Sequence, residues 1–175
     1  MAGNTKALRV RIKSVTSTLQ LTKAMGLVAS SKIRRANEAM FKGREYLKTL
    51  NDAVSLLTAD NESLKSPYMR KSNTDRTRII VIAGDRGLAG GYNANVFRLV
   101  KEKGYSDIVA IGKRACERYD TPFYSSENFG ANDADKMART LIADYLAGEF
   151  DRLSIVSTKY VSMMTQTAHV IDVLP

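Results

Sequence analysis

The chain has 175 residues, of which 44% are hydrophobic and 26% are charged, so it is long enough for one domain with an extended element attached. This composition is typical of a globular protein and excludes a disordered or fibrous one. The single cysteine, Cys116, excludes an intramolecular disulfide and a cysteine-based zinc cluster, and it fits a reducing compartment. The longest apolar run, residues 79–83, is far shorter than the roughly 20 residues of a membrane-spanning helix, so we expect no direct membrane insertion.

The formal net charge of +9 is concentrated at one end of the chain. Residues 1–50 contain eleven basic and two acidic residues, whereas the remainder contains sixteen of each sign. Positive charge this concentrated predicts an acidic partner. Charge alone leaves open whether that partner is nucleic acid, an anionic membrane surface or an acidic protein.

Apolar residues recur at alternating spacings of four and three from Leu8 to Leu57, and we call these positions the seam. No proline interrupts the series, and Asn4 or Thr5 could serve as N-cap. The pattern predicts one helix of about 50 residues, roughly 75 Å long. A 3.5-residue period sustained this far predicts a left-handed coiled coil, with an amphipathic core helix as the alternative. The seam consists of Leu8, Ile12, Val15, Leu19, Thr22, Gly26, Ala29, Ile33, Ala36, Met40, Gly43, Leu47, Leu50, Val54 and Leu57.

Residues 21–28 are apolar around most of the helix circumference, with Lys23 as the main exception. A helix that is apolar all round is normally buried. We therefore expect this part of the helix to lie inside a surrounding sleeve, with one face against its coiled-coil partner.

The rest of the chain predicts an α/β domain. A polar stretch around Ser66 and Pro67 indicates a linker at residues 60–76, between a helical shaft at 1–59 and a domain at 77–175. The alternation of elements predicts a Rossmann-like, mostly parallel three-layer domain with an antiparallel edge hairpin. The predicted elements are a buried strand at 77–83, a turn-rich segment at 84–93, a helix from about residue 95 to 103 closed by Gly104, a strand at 107–111, a short helix at 113–119, a weak strand at 121–125, a helix capped by Asn132 or Asp133 and ended by Gly148, and a hairpin of 153–158 with 167–173.

The candidate motifs predict no catalytic residue, no cofactor site and no metal site. The glycines of residues 84–91 follow a strand and precede a helix, but their spacing matches neither a dinucleotide loop nor a P-loop. We interpret this segment as a turn with positive φ at some glycines, in which Arg86 pairs with a carboxylate. His169 is the only histidine and is predicted to be a packing residue on a strand, since no second histidine exists for a metal site.

Two segments resemble the gamma subunit of bacterial F-type ATP synthases. The first is LTKAM at 21–25 followed by SKIRRA at 31–36, which is similar to the N-terminal helix of that family. The second is DRGLAGGYN at 85–93, which is similar to the signature loop of the same family, except that Ala89 stands where many relatives have cysteine. The resemblance spans the whole chain.

This resemblance implies a non-catalytic central stalk that couples proton-driven rotation of the membrane ring to ATP synthesis on the catalytic subunits. The partners it implies are the alpha and beta subunits, an epsilon-type subunit and the membrane rotor ring. It also implies a peripheral location at the cytoplasmic face of the bacterial cell membrane. The family's catalytic subunits offer an acidic loop to the stalk, and the matching contact residues here are Lys23, Met25, Lys32, Arg34, Arg35 and Arg86.

Members of this family continue into a long C-terminal helix that pairs with the first helix, whereas this chain stops at Pro175. We therefore expect the seam to lack a partner within the chain, so that the helix self-associates or frays near Gly26 and Gly43. Two alternatives from other classes are a nucleic-acid-binding module that uses the basic helix and a nucleotide-dependent enzyme on a Rossmann-like domain.

Overall fold

The computed structural model describes residues 2–60, 62–69, 74–162 and 164–175, with side chains from Thr5 onward. It divides into two compact units, Met1–Asp60 and Asn61–Pro175. In the described part of the chain, no helix is both long and apolar enough to cross a membrane.

The first unit is one uninterrupted helix, α1, which spans Ala2–Thr58 and has 57 residues. The predicted long helix is therefore confirmed, but it begins before Asn4 and Thr5, so neither residue is its N-cap. Helical geometry continues through Gly26 and Gly43, because a glycine costs a helix interior only about 1 kcal/mol.

The seam side chains of α1 are exposed. Leu8 is 58% exposed at one end and Leu57 is 64% exposed at the other, and among the large apolar seam residues only Met40 is half-buried. The coiled-coil pairing of this seam stays a prediction.

Threonine hydroxyls along α1 bond to the backbone of the helix itself. The hydroxyl of Thr22 donates to the carbonyl of Thr18 at 2.8 Å, and that of Thr18 donates to the carbonyl of Ser14 at 3.1 Å. Thr49 donates to Glu45 in the same way at 3.0 Å. These hydroxyls therefore have their hydrogen bonds inside α1.

In the second unit two 3₁₀ turns, Ser63–Lys65 and Pro67–Met69, precede β1 (Thr77–Ile82), α2 (Tyr92–Lys103), β2 (Asp107–Ile111), α3 (Lys113–Tyr119), α4 (Ala131–Ala147), β3 (Arg152–Tyr160) and β4 (Gln166–Leu174). The strands form one four-stranded sheet of order β2-β1-β3-β4. β1 pairs in parallel with β2 and β3, and the edge strand β4 pairs antiparallel with β3. This arrangement confirms the predicted mostly parallel sheet with an antiparallel edge hairpin.

Helices cover both faces of the sheet, which completes the three predicted layers. The central strand β1 directs alternate side chains to opposite faces, since Ile79 and Val81 belong to one core cluster and Ile80 to the other. The first cluster includes Val96 and Val100 of α2 and Ala115 and Cys116 of α3. The second cluster includes Met137, Leu141 and Tyr145 of α4, together with Phe150 and Leu153. Burial on both faces explains why β1 is a nearly continuous apolar run.

The predicted strand at residues 121–125 is wrong. This segment has no strand geometry, and its Tyr124 carbonyl instead accepts a hydrogen bond from the Gly112 amide at 2.7 Å. Pro122 has no amide hydrogen to donate to a neighbouring strand, so a five-residue strand here would lose one of its few backbone hydrogen bonds.

The predicted caps of α4 are wrong at one end and right at the other. Gly130, and neither Asn132 nor Asp133, is the N-cap, and the Asp133 carboxylate accepts from the Gly130 amide at 3.1 Å. At the other end Gly148 closes α4 with a φ of 83°, as predicted.

Gly112 connects β2 to α3 where the backbone of β1 comes very close. Its φ is 96°, and a Cβ at this position would lie 1.9 Å from the carbonyl oxygen of Ala83. Only glycine fits here, both for its conformation and for the space available.

The exposed seam predicts how the 175-residue chain behaves in solution. Burial of apolar surface is worth roughly 25 cal/mol per Å², so we expect the helix to self-associate through the seam. Leu50→Glu should shift the oligomer to monomer in light scattering, because Leu50 lies in the seam. The matched change Leu56→Glu lies off the seam and should leave the oligomer intact. A strict monomer whose α1 amides are all strongly protected from hydrogen exchange would contradict this prediction.

Candidate functional site

The loop between β1 and α2 is anchored by the carboxylate of Asp85. The Ser125 hydroxyl donates to it at 2.6 Å, and the backbone amides of Lys113, Ser126 and Glu127 donate at 2.8, 3.0 and 3.1 Å. One side chain therefore ties the loop to the start of α3 and to the segment at residues 125–127.

These hydrogen bonds keep Asp85 ionised. Partial burial on its own raises the pKa of the carboxyl, but the bonds from Ser125 and from the amides of Ser126, Lys113 and Glu127 outweigh burial, so the pKa lies well below its usual range. A carboxylate that accepts four hydrogen bonds has little basicity left, so Asp85 is an anchor and not a general base.

Arg86 follows directly and forms an ion pair with Glu127. Its Nε lies 2.9 Å from Oε1 and its Nη2 lies 3.2 Å from Oε2, which is a two-point contact. The prediction that Arg86 pairs with a carboxylate is confirmed. The Arg86 side chain is still 72% exposed, so a second anion can approach it.

The tip of the loop displays an apolar side chain. Leu88 has a φ of 59° and is fully exposed, and the left-handed conformation costs an ordinary residue roughly 1–2 kcal/mol. The prediction of positive φ at some glycines is confirmed at Gly90, with a φ of 56°. The loop closes where the side chain of Asn93 accepts from the Gly84 amide at 2.9 Å.

The other predicted contact residues all lie on α1, and all are exposed. Helical geometry places Met25 and Lys32 nearly opposite Lys23 and Arg34, and it places Arg35 about 100° from Arg34, closer to Lys32. They therefore form two rows, and a single flat partner surface cannot touch both. Arg34 also faces Glu38 at 3.9 Å, an exposed pair of little energetic weight.

The described residues offer little basis for metal binding or thiol chemistry. Among the described residues, no group of three or more His, Cys, Asp or Glu side chains could hold a metal ion. His169 is half-buried on β4 with Nδ1 3.1 Å from the Ser157 carbonyl, and Cys116 is buried in the core.

Sequence reasoning missed Asp85 and Leu88. Asp85 is an acidic residue near the carboxyl end of a buried parallel strand, a place where functional groups collect in α/β folds, and this was the available signal. No local pattern marks Leu88, because its conformation depends on how the loop is anchored.

A long basic helix with an exposed apolar seam, and a surface loop with an exposed leucine, present surfaces suited to contact with other chains. Comparison with known proteins identifies the family. The family model described as ATP synthase matches residues 4–175, and the chain belongs to this family.

Curated relatives of this chain are ATP synthase gamma chains. The ATP synthase gamma chain of Ruminococcus albus is 38% identical over an alignment of 189 residues, which covers 99% of this chain and 66% of the relative. The sodium-ion-specific gamma chain of Acetobacterium woodii is 33% identical and covers 100% of this chain and 62% of the relative. The chain thus spans slightly less than two thirds of the length of these relatives. The resemblance to gamma subunits is confirmed, and the nucleic-acid-binding alternative finds no support among these relatives.

A solved structure shares the fold. The central stalk and c-ring structure of the Tetrahymena thermophila mitochondrial ATP synthase contains a chain that matches with a TM-score of 0.69 and 19% identity. The match covers 89% of this chain and 72% of that chain. The predicted fold class is therefore confirmed.

The Asp85 anchor predicts a pH-dependent stability. Asp85→Asn keeps the size but loses the charge, and we expect it to destabilise the α/β unit by about 2 kcal/mol at pH 7, since bonds to a charged acceptor are worth roughly 1.5–3 kcal/mol. Because the folded pKa is depressed, this stabilisation is present above the unfolded pKa of about 3.9 and is lost as pH falls below it.

Denaturant unfolding from pH 7 to pH 3 measures this effect. The difference between the two proteins should be constant from pH 7 to about pH 5 and should shrink in more acidic solution. Asp135→Asn removes an exposed carboxylate that pairs with Arg139 on α4 and serves as the control, with little expected effect. A difference that is the same at every pH would rule out the charge of Asp85 as its cause.

Proposed function

We propose that the chain is the central stalk subunit of an F-type ATP synthase, which couples ion-driven rotation of the membrane ring to ATP synthesis on the catalytic subunits. The observation that carries this proposal is α1, 57 residues of unbroken helix with an exposed apolar seam. Such a helix is long enough to run through a surrounding ring of subunits, at roughly 1.5 Å per residue. Family membership and the gamma-chain relatives support the same function.

The subunit is non-catalytic in this proposal. The loop at residues 84–91 follows a strand as a phosphate-binding loop would, but it lacks the spacing of one, and its Asp85 carboxylate already accepts four hydrogen bonds. ATP chemistry then belongs to partner subunits.

The charge distribution supports the proposed partners. Alpha and beta subunits would surround α1, whose residues Lys23, Met25, Lys32, Arg34 and Arg35 face outward in two rows. A ring that encloses the helix can meet both rows, whereas a flat surface cannot. The α/β unit would contact an epsilon-type subunit and the membrane rotor ring, at the cytoplasmic face of the bacterial membrane and peripheral to it.

A chimera tests the proposed function directly. In it, this chain replaces the matched region of the R. albus gamma chain, and the chimera is assembled into the R. albus complex lacking its own gamma chain. We expect coupled ATP synthesis to be restored. A chimera that assembles but restores no synthesis would overturn the stalk function.

Charge reversal in that complex tests the contact residues. Arg35→Glu combined with Arg86→Glu should lower coupled ATP synthesis several-fold, with each contact contributing about 0–1 kcal/mol. Because Arg86→Glu also places two carboxylates together, a third variant adds Glu127→Arg, which restores the pair with its charges exchanged. The defect should persist in that variant. Recovery would show that loop stability was the cause, and wild-type rates in the double variant would disprove the contact role.

The isolated chain provides the test of the non-catalytic assignment. We expect it neither to hydrolyse ATP nor to bind nucleotide tightly, because its loop at residues 84–91 lacks the spacing of a phosphate-binding loop. Isothermal titration calorimetry with ATP and ADP measures this. A dissociation constant in the micromolar range or below, unchanged when surface lysines are substituted, would contradict the prediction.

A further inference from the structure

The ion pair between Arg86 and Glu127 uses only one edge of the arginine. Nε of Arg86 lies 2.9 Å from Oε1 and Nη2 lies 3.2 Å from Oε2, so the carboxylate meets the edge formed by Nε and Nη2. A guanidinium has more N–H donors than one carboxylate can use. Among the described residues none accepts a hydrogen bond from Nη1, and the side chain is largely exposed. The edge formed by Nη1 and Nη2 is therefore open to a second carboxylate.

The backbone at Glu127 is held by hydrogen bonds on both sides of its Cα. Its own amide donates to the Asp85 carboxylate at 3.1 Å, and the next amide, that of Asn128, donates to the Ser125 hydroxyl at 3.2 Å. Asp85 is also the residue directly before Arg86 in the chain. One carboxylate therefore fixes the backbones that carry both partners of the ion pair. Glu127 is thus placed to hold the guanidinium of Arg86 in one orientation.

Arg78, in the same unit, shows a guanidinium that binds two carboxylates at once. Its Nε lies 2.9 Å from the carboxylate of Asp107, and its Nη1 pairs with that of Asp144. Arg78 is only 18% exposed, because both carboxylates belong to the chain itself. Arg86 has a carboxylate at its Nε in the same way, but among the described residues it has none at Nη1. A second carboxylate at Arg86 would come from another chain.

Glu127 has two opposite effects on an anion that approaches Arg86. It orders the arginine in advance, and ordering a free arginine side chain on binding weakens a complex by roughly two- to tenfold. It also repels the anion, but two exposed carboxylates about 7 Å apart, on adjacent edges of one guanidinium, weaken binding by about twofold or less at physiological salt. Orientation therefore outweighs repulsion, and Glu127 should favour the binding of an acidic group at Arg86.

We propose that Glu127 is a positioning residue, which holds the Arg86 guanidinium so that its open edge meets a carboxylate of an acidic partner chain. The contact is then a bridge of carboxylate, guanidinium and carboxylate, with Glu127 at one end and an aspartate or glutamate of the partner at the other. Arg86 keeps its bond to Glu127 in the free chain and in the complex. This inference rests on the proposed function, in which Arg86 is a contact residue.

Heteronuclear NMR of the chain measures the orientation of Arg86 directly. The Nε–Hε signal of Arg86 is assigned by its loss in Arg86→Lys. Glu127→Ala should speed exchange of this hydrogen with water at least about fivefold, because the hydrogen loses its acceptor. The matched change Glu117→Ala removes a carboxylate that pairs with Arg114 on α3 and should leave the Arg86 signal as it is. Equal exchange rates with and without Glu127→Ala would overturn the proposal.

The same variants in the chimera with the R. albus gamma chain test the consequence for the partner contact. Coupled ATP synthesis should fall roughly two- to fivefold in Glu127→Ala and stay unchanged in Glu117→Ala. In a chimera that already carries Arg86→Gln, Glu127→Ala should have no further effect, because Glu127 acts through Arg86. A higher rate in Glu127→Ala would contradict the proposal, since Glu127 would then compete with the partner's carboxylate.

Urea unfolding of the chain separates positioning from a structural role. An exposed ion pair contributes little to folding, so the unfolding midpoint of the α/β unit should be the same with and without Glu127→Ala. A lowered midpoint together with a loss of synthesis would make the pair a structural contact and rule out positioning. Failure of the proposed function is a separate result, in which the chimera restores no synthesis even without these substitutions, while exchange at Arg86 still shows whether Glu127 orients it.

Discussion

A single ionised carboxylate, that of Asp85, joins three segments of the α/β unit beyond the carboxyl end of β1. Three segments meet there without sharing a helix or a strand: the β1-α2 loop, the start of α3 and residues 125–127. Asp85 accepts hydrogen bonds from the latter two, and because it stays charged each bond is stronger than one between neutral groups. Arg86, Glu127 and the exposed Leu88 all lie in the segments that Asp85 joins.

Much of the fold could be predicted from sequence, because the spacing of apolar residues indicates which segments form helices and which form strands. The buried strands β1 and β2 are short apolar runs, and the bounds of β2 and α3 agree with the prediction. The wrong strand at residues 121–125 shows the limit of this reasoning. Its β-branched and aromatic residues favour a strand locally, but the segment is held by Gly112 and by the Asp85 anchor instead.

The site was less predictable, since its contacts join distant parts of the chain. A carboxylate partner for Arg86 could be expected from charge alone, but Glu127 lies 41 residues away and nothing local identifies it. The donors to Asp85 are similarly distant. Position 112 needs glycine because the carbonyl of Ala83, directly after β1, lies where a Cβ would be, and no turn pattern around residue 112 reveals this. By contrast, the two rows on α1 follow from residue spacing, because a helix is a local structure.

The threonines of α1 have a consequence for its surface. Thr18, Thr22 and Thr49 donate their hydroxyl hydrogens to the carbonyl one turn earlier, so these side chains have no hydrogen left to donate to a neighbour. Methyl groups then dominate what they present, and contacts between methyl groups have little directional preference. Any chain that packs against α1 at these positions therefore meets methyl groups and no hydroxyl hydrogen available for a new bond.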